Sequence, residues 1–157
     1  MSGGAIPRID IAEHWGRMND SLVALVDYVP DDKLDWSPRE GLWNFRGILL
    51  HTIMVRHNWL HGFVRDGEGE PDVLAKVRSK DDIRQALRQS WERVRRFLSD
   101  DDKLAGFYQW DDPEQGDDGA NGHWVAFHLL EHDIHHRADL FHYLGELGIE
   151  HPDVGTP

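Results

Sequence analysis

The sequence predicts an all-α protein, a bundle of four packed helices. Three observations support this prediction: four long segments carry apolar residues at helical spacing, no segment alternates apolar and polar residues as a strand does, and no internal repeat is present. The 157 residues fit a single domain spanning 1–157. A chain of this length buries a sizeable core without disulfides.

The first half of the chain predicts two helices. Helix one runs from about Arg8 to Tyr28, and Pro30 ends it because proline disfavours helical geometry in the residue before it. Helix two spans about Asn44 to Arg65. Its apolar residues go almost all the way round, which is typical of a helix inside a bundle. The composition of residues 66–71 indicates a loop.

The second half predicts two more helices. Helix three starts at Ser79, where Ser79 and Asp82 approximate a capping box, and it ends near Ser99. Residues 100–119 are rich in acids and lack the spacing of a calcium-binding loop, so we expect a solvated loop there. Helix four opens with Asn121 as its cap, runs to about Leu147 and stops at Gly148.

The composition excludes several classes of function. Twenty-nine acidic against 17 basic residues give a net charge of −12, which argues against nucleic-acid and anionic-membrane partners. The absence of cysteine excludes disulfides, cysteine-ligated metal sites and a cysteine nucleophile. The first residues lack a signal-peptide pattern, and no apolar run is long enough for a membrane span. We therefore expect a cytoplasmic protein that acts on a small molecule.

Histidine is the most informative residue, with 11 copies, six of them in helix four. His132 and His136 are four residues apart, at the border of the apolar face, whereas His135 points away from it. Residues at this spacing stand on adjacent turns with Cβ atoms about 5–6 Å apart, so both imidazoles can reach one ion. Another helix must supply a third ligand.

Helix two offers three candidates for that ligand: His51, His57 and His61. His51 lies on a mainly apolar stripe, where a lone histidine is more often a hydrogen-bonded core residue than a metal ligand. Because His132 and His136 also lie on an inward face, we expect His51 to be a metal ligand. His57 and His61 lie toward a more polar edge and are interpreted as partly exposed histidines. The predicted metal ligands are therefore His51, His132 and His136.

Three neutral histidines leave one coordination position open, as in catalytic rather than structural zinc sites. Zinc or nickel is the expected ion, and iron or manganese also accepts such ligands. Glu131 and Asp139 are candidate partners that would orient the ligating imidazoles. Asp133 and Arg137 form either a structural ion pair inside the bundle or, on a second interpretation, a site where Arg137 binds an anionic substrate group.

Other motifs are weak or absent. Residues 128–132 match HxxEH, the inverted zinc-protease signature, with His128 and His132 as ligands and Glu131 as general base. Too little chain follows His132 to supply the later acidic ligand, so this interpretation is disfavoured. The sequence contains no HExxH, GxSxG or P-loop motif and no repeated Glu-x-x-His pairs of a di-iron bundle. The roles of His128 and His135 stay open.

With these residues in place, the sequence resembles the DinB-like superfamily over nearly its whole length. The similarity lies around His51, in residues 131–137 and 143–149, and in two segments that precede helix two, residues 29–38 and 43–45. Two departures concern Ala138-Asp139, where relatives commonly carry Gly-Gln, and His57, where an acid is frequent. These departures bear on the substrate rather than on the metal.

The resemblance implies an up-down-down-up four-helix bundle, often dimeric, with a divalent metal on one histidine of helix two and an HxxxH pair of the last helix. Those positions match His51, His132 and His136. Characterised relatives include thiol-dependent transferases and isomerases. The expected protein is therefore a homodimeric, metal-dependent transferase or hydrolase that uses an external low-molecular-weight thiol or water. The alternative is a non-catalytic, stress-associated helical bundle whose metal is structural.

Overall fold

The structure, a computed structural model, describes residues 10–112, 114 and 118–154. Six α-helices follow one another in the described chain: α1 Ile11–Tyr28, α2 Phe45–Asn58, α3 Val73–Lys76, α4 Lys80–Leu98, α5 Asp101–Ala105 and α6 Gly122–Glu146. A short 3₁₀ turn, Asp31–Lys33, follows α1. Two strands, β1 Phe107–Tyr108 and β2 Ala120–Asn121, pair antiparallel. The prediction of an all-α bundle is confirmed, with α1, α2, α4 and α6 as its long helices.

Side-chain caps fix where these helices begin. The Asp10 carboxylate accepts a hydrogen bond from the backbone of α1, so that helix starts at Ile11; the predicted start at Arg8 lies outside the described residues. The predicted capping box at Ser79 and the predicted cap at Asn121 are both confirmed. Gly148 follows the end of α6 with a φ of 71°, a conformation that favours glycine.

Two predicted segments differ from the structure. Helix two changes at Trp59 into a π-helical turn, Trp59–Val64, before the backbone leaves it at Arg65 with a φ of 56°. The prediction of a plain loop over 100–119 is wrong in its first part. Asp100 caps α5 by accepting a hydrogen bond from the backbone of Lys103, and β1 then pairs with β2. The acidic residues that indicated a loop therefore begin a helix.

Contacts along the helices give their relative directions. The rings of Trp15 and Trp91 are 5.4 Å apart, and Arg84 pairs with Asp27 further along α1. Because the α1 numbers rise while the α4 numbers fall, α1 and α4 are antiparallel.

The helix α2 runs parallel to α4. Arg46 donates a hydrogen bond to the carbonyl of Arg78 just before α4 begins, and Arg56 donates one to Ser90 at 3.0 Å, inside α4. Both α2 and α4 therefore run opposite to α1.

The helix α6 runs opposite to α2, because its contacts come in reversed order. His51 lies against His136, with ring centroids 5.0 Å apart, and Trp59 lies against Trp124, with centroids 5.8 Å apart. The four long helices therefore run up, down, down and up, as predicted.

The apolar core consists of two clusters of buried side chains. One cluster lies around Leu25, Ile53 and Leu144, and the other around Trp15 and Leu129. The helices α1, α4 and α6 contribute to both clusters, and α2 contributes to the first cluster and its π turn to the second, so a residue near the middle of a helix lies between them. A buried polar group at that level needs partners from the neighbouring helices.

Arg56 is such a buried polar group, and it lies between the two clusters. Its side chain is fully buried and pairs with the equally buried Asp133, with Nη2 and Oδ2 2.8 Å apart. Its Nη1 donates to Asn19 of α1 at 2.8 Å and to Ser90 of α4 at 3.0 Å. The indole of Trp15 donates to the same carboxylate at 2.7 Å. One guanidinium thus joins all four long helices.

A second buried arginine corrects the interpretation of His57. Arg93 forms a bidentate pair with Asp66 at 2.6 and 2.7 Å, which holds the loop after the π turn against α4. Arg93 Nη1 also donates to Nδ1 of His57 at 3.1 Å. His57 is buried rather than partly exposed, whereas His61 is exposed as expected. The polar edge on which His57 was placed is covered by Arg93.

In the part of the chain that the structure describes, no helix combines the length and the apolar character needed to cross a bilayer.

Removing one partner of the Arg56–Asp133 pair should cost about 3–5 kcal/mol in the free energy of unfolding, because the remaining charge stays buried without a counter-ion. Chemical denaturation of Arg56→Met and Asp133→Leu measures this cost. The double variant should lose clearly less than the sum of the two. Arg95→Met, which breaks an exposed pair with Glu92, is the control and should cost below about 1 kcal/mol. Additive losses would show that the pair does not act as a unit.

The stability of the protein should fall as the pH drops below about 6.5, in part through His57. Burial, and then the charges of Arg93 and Arg56, lower the pKa of His57 to about 4. The unfolded chain therefore binds a proton before the folded one, and stability present above pH 6.5 is lost down to about pH 4, by up to about 1.4 kcal/mol per pH unit.

The comparison variant is His57→Gln, whose amide oxygen can still accept from Arg93. Urea denaturation of chelator-treated protein at several pH values should show a shallower loss in His57→Gln than in the parent. His61→Gln, at an exposed position, should leave the pH dependence of the parent unchanged. Identical slopes in all three proteins would contradict a buried, neutral His57.

Candidate metal centre

The structure brings the three predicted ligands together. His51 projects from α2, and His132 and His136 project from adjacent turns of α6. Nε2 of His132 lies 3.0 Å from Nε2 of His51. One nitrogen from each of the three rings lies within 4.8 Å of the others, and all three side chains are half-buried. The set that the spacing of the sequence predicted is therefore assembled at one point between α2 and α6.

The position of this point follows from the packing of α6. Asp133 is fixed in the core by Arg56, so its neighbours on either side are turned by about 100° away from the core. His132 is turned toward α2, where it meets His51. His136, one turn further, follows on the same side, and its ring lies 4.4 Å from that of His132. His135 is exposed, as predicted.

Burial keeps the three imidazoles neutral. Burial, and then the neighbouring rings of His136 and His51, which repel a proton, together lower the pKa of His132 to about 3. Burial is also the main reason that the pKa values of His51 and His136 lie below their usual range. Neutral imidazole is the form that ligates a metal. The site therefore does not have to lose protons before it accepts an ion near neutral pH.

The arrangement of nitrogens fits a divalent d-block ion. Ligands about 2.0–2.1 Å from zinc at a tetrahedral angle lie about 3.3 Å from each other, close to the separation of the His51 and His132 nitrogens. Nδ1 of His132 and Nδ1 of His136 are buried, and no hydrogen-bond partner contacts them among the described residues. Because Nε2 is the nitrogen of His132 that meets His51, these Nδ1 atoms are the ones left for a water or a neighbouring carboxylate. Imidazole nitrogens suit zinc, nickel or iron better than calcium or magnesium.

Asp139 flanks the three histidines, as the sequence predicted. Its Oδ2 lies 3.3 Å from Nδ1 of His136 and 3.4 Å from Nε2 of His135. These are ion-pair distances without hydrogen-bond alignment, and the carboxylate partly offsets the effect of burial on the pKa of His136. Glu131, the other predicted partner, is exposed. Asp139 is therefore the carboxylate placed to orient a ligand.

Trp43 is a residue of the site that spacing arguments missed. Its ring lies 4.5 Å from the ring of His51 and stacks on His136 at 6.3 Å. The Tyr143 hydroxyl donates to the Trp43 carbonyl at 3.0 Å, which fixes the segment before α2 against α6. The indole is 52 % exposed, so it covers one edge of the three histidines while it faces solvent.

The inverted-protease interpretation is wrong. His128 does not join the three ligands; its ring stacks on Trp124, with centroids 5.0 Å apart and planes 5° from parallel. Glu131, the general base of that interpretation, is exposed to solvent. His57 and His61 also lie outside the cluster, because His57 contacts Arg93 and His61 contacts the carbonyl of Glu68.

The interpretation of Asp133 and Arg137 as an ion pair is wrong as well, because Asp133 is occupied by Arg56 from α2. Arg137 turns toward α1, where Nη1 reaches Ser21 Oγ at 3.4 Å and the guanidinium lies 5.6 Å from the ring centroid of Phe141. It lines a cavity of about 310 Å³ between α1 and α6 that none of the three histidines lines. Anion binding by Arg137 stays a prediction.

In the described part of the chain, the donor set consists of three protein ligands. Among the described residues, no fourth histidine or carboxylate lies within the same 4.8 Å of His51, His132 and His136. A metal that prefers four or more ligands would therefore keep a free position. Such an arrangement can bind and polarise a small molecule, whereas a structural zinc site is closed by four protein ligands.

Solved structures with similar folds belong to DinB-like proteins. A DinB-like protein from Bacillus cereus ATCC 10987 superposes with a TM-score of 0.71 at 19% identity and covers 91% of this chain and 94% of its own. A putative DinB family member from Exiguobacterium sibiricum 255-15 gives 0.69 at 18% identity, with 90% and 95% covered. A DinB-like protein from Bacillus subtilis gives 0.68 at 18% identity, with 94% and 99% covered.

No curated protein matches the sequence significantly. The family comparison is decisive, because the sequence model of the DinB family matches residues 1–157, the whole length given. The helical bundle agrees with that match. The chain belongs to the DinB family.

Proposed function

We propose that this DinB-family protein binds one divalent metal ion through His51, His132 and His136 and is a metal-dependent transferase or hydrolase. Zinc or nickel is the proposed ion. The nucleophile is an external low-molecular-weight thiol or water. The observation that carries the proposal is the convergence of three neutral imidazoles from two helices, without a fourth ligand among the described residues.

The residues around the centre have separate tasks in this proposal. His51, His132 and His136 hold the ion, and Asp139 holds the ring of His136 in place from the solvent side. The ion, when bound, would supply Lewis acidity that lowers the pKa of a thiol or of water at the free position. Trp43 covers one edge of the site and limits the directions from which a small molecule can approach. The chain has no cysteine, so a thiol must come from outside.

Arg137 is included as a candidate binder of an anionic substrate group. Among the described residues, no carboxylate pairs with it, and burial lowers its pKa, so its charge is poorly solvated. A half-buried cation without a carboxylate partner favours an anionic ligand. Because Arg137 lines the cavity between α1 and α6, the proposed ligand would lie there rather than directly beside the three histidines.

A cytoplasmic homodimer remains part of the proposal. Its support is the apolar surface between α1 and α6, where Ile11 is 57%, Phe127 65% and Ile134 46% exposed. An exposed apolar surface of this kind is typical of contacts between protein chains.

The number of metal ions bound per chain should depend on the three proposed ligands. His132→Ala and His136→Ala should each lose stoichiometric zinc or nickel, because two imidazoles from different turns hold an ion far more weakly than three. Elemental analysis of dialysed, zinc-loaded protein measures the number of ions per chain, expected to be one in the parent.

His135→Ala is the matched control, since it removes an exposed histidine next to the site on the same helix. His128→Ala is a second control, since its ring packs on Trp124 outside the ligand set. Both controls should keep about one ion per chain. Loss of the ion in His128→Ala with retention in His136→Ala would contradict the proposed ligand set.

The rate at which a thiol adduct forms tests the catalytic part of the proposal. In the conjugation of glutathione or N-acetylcysteine with 1-chloro-2,4-dinitrobenzene, the sulfur–carbon bond forms, chloride leaves and the thiol proton is released. Hydrolysis of 4-nitrophenyl acetate tests water in place of the thiol. Zinc- or nickel-loaded protein should exceed His136→Ala by about 100-fold or more in at least one reaction, because Lewis acidity is worth several kcal/mol.

The alternative function, a helical bundle with a structural metal, predicts a different pair of results. In that case the metal raises the melting temperature, and the loaded parent and His136→Ala give equal rates in every reaction.

In the proposed function, Arg137→Gln raises KM for an anionic substrate while the metal content stays the same. Equal rates across a broad electrophile screen would contradict the proposal of an enzyme.

A further inference from the structure

A pocket rich in aromatic residues lies where the π turn after α2 meets the start of α6, away from the three histidines. We call the whole contact of α2 and its π turn with α6 the α2–α6 seam. The volume of the pocket is about 570 Å³, and it lies between the π turn, the segment around β1 and the start of α6. Five of its nine lining residues are aromatic: Trp59, Phe63, Phe107, Trp110 and Trp124. The proposed metal chemistry does not require any of them.

Three tryptophans form the walls of this pocket. Trp59 contacts Trp110 at a centroid distance of 5.3 Å and Trp124 at 5.8 Å, with interplanar angles of 57° and 52°. Trp59 therefore lies between the other two, and the three rings are tilted rather than stacked flat. Tilted rings present parts of their π faces to a shared space instead of covering one another.

The backbone is adapted to hold these rings. A Cβ atom at Gly62, within the π turn, would come within 3.1 Å of the Trp110 ring, and one at Gly119 within 2.3 Å of the Phe107 ring. Glycine at both positions leaves the space that the two rings fill. A π turn inside an α-helix is itself a rare feature that often occurs at functional sites.

The charge around the pocket has one sign. Its lining residues include one carboxylate, Asp118, and neither lysine, arginine nor histidine among the described residues. The whole chain carries a net charge of −12. The face of an indole carries negative charge density and is the best cation–π partner among side chains. Aromatic walls with a carboxylate at the rim favour a positive ligand over a neutral or an anionic one.

The pocket and the metal centre lie along the same stretch of α6. Trp124, His128, His132 and His136 are each four residues apart on α6, and Trp59 in the π turn follows His51 of α2 by eight residues. The ring of His128 contacts both Trp59, at 4.7 Å, and Trp124. Eight residues of α-helix, the separation of Trp124 and His132, span about 12 Å. The pocket and the metal centre are therefore about 12 Å apart along α6.

We propose that this pocket binds an organic cation, a quaternary or protonated amine, between the indoles of Trp59, Trp110 and Trp124 with Asp118 as its counter-charge. The link to the reaction rests on the proposed function. In that case the substrate carries its cationic group about 10–12 Å from the group that reacts at the three histidines. Cation binding itself requires no metal.

Choline and 3,3-dimethyl-1-butanol are suitable probes, since they have nearly the same shape and differ in charge. Titrations followed by NMR or calorimetry, on chelator-treated and on zinc-loaded protein, should show choline binding at least about tenfold tighter than the alcohol. Trp124→Leu should remove most of that preference. Asp118→Asn should weaken choline about threefold, as expected for loss of one exposed charge.

The matched control is Tyr28→Leu, since Tyr28 and Trp124 are 44% and 48% exposed and Tyr28 does not line the pocket. It should leave choline affinity unchanged, and circular dichroism checks that each variant is folded. Equal affinities for choline and the alcohol, or unchanged choline affinity in Trp124→Leu or Asp118→Asn, would overturn the proposal.

The two proposals fail separately. Choline binding that persists in His132→Ala, while zinc is lost, supports the pocket independently of the metal centre. Zinc held by three histidines in a protein without preference for choline over the alcohol would overturn the pocket and leave the metal centre standing.

Discussion

The buried pair of Arg56 and Asp133 is the interaction on which the rest of the structure depends. It lies between two apolar clusters, and its hydrogen bonds reach Trp15 and Asn19 on α1 and Ser90 on α4. Two desolvated charges stabilise a fold only when their remaining donors and acceptors are satisfied, and here they are. Few other alignments of the helices would satisfy all of these hydrogen bonds at once. We therefore infer that the network fixes the position of α2 along α6.

The register of α2 against α6 determines the chemistry of the seam. With Asp133 held in the core, His132 and His136 face α2 and meet His51, while Arg137 faces α1. A shift of one helical turn, about 5.4 Å, would separate the nitrogens beyond the reach of one ion. The same register brings Trp59 against Trp124 and His128, so the metal centre and the aromatic pocket follow from one alignment.

Helical spacing was sufficient to predict the four long helices, the capping box at Ser79 and the set of His51, His132 and His136. These features depend on local periodicity and on the apolar stripe of each helix. The burial of His57 and the partner of Asp133 were not predictable in this way, because both depend on which arginine arrives from another helix. The contact of Trp43 with His51 and the short strand at Phe107 depend likewise on segments distant in sequence.

The most direct measurement is a crystal structure of the zinc-loaded protein with anomalous data at the zinc edge. The account predicts one ion at about 2.0–2.1 Å from a nitrogen of each of His51, His132 and His136, with a solvent molecule or a thiol in the remaining position. An ion closed off by a fourth side chain, or an anomalous peak away from these rings, would contradict it.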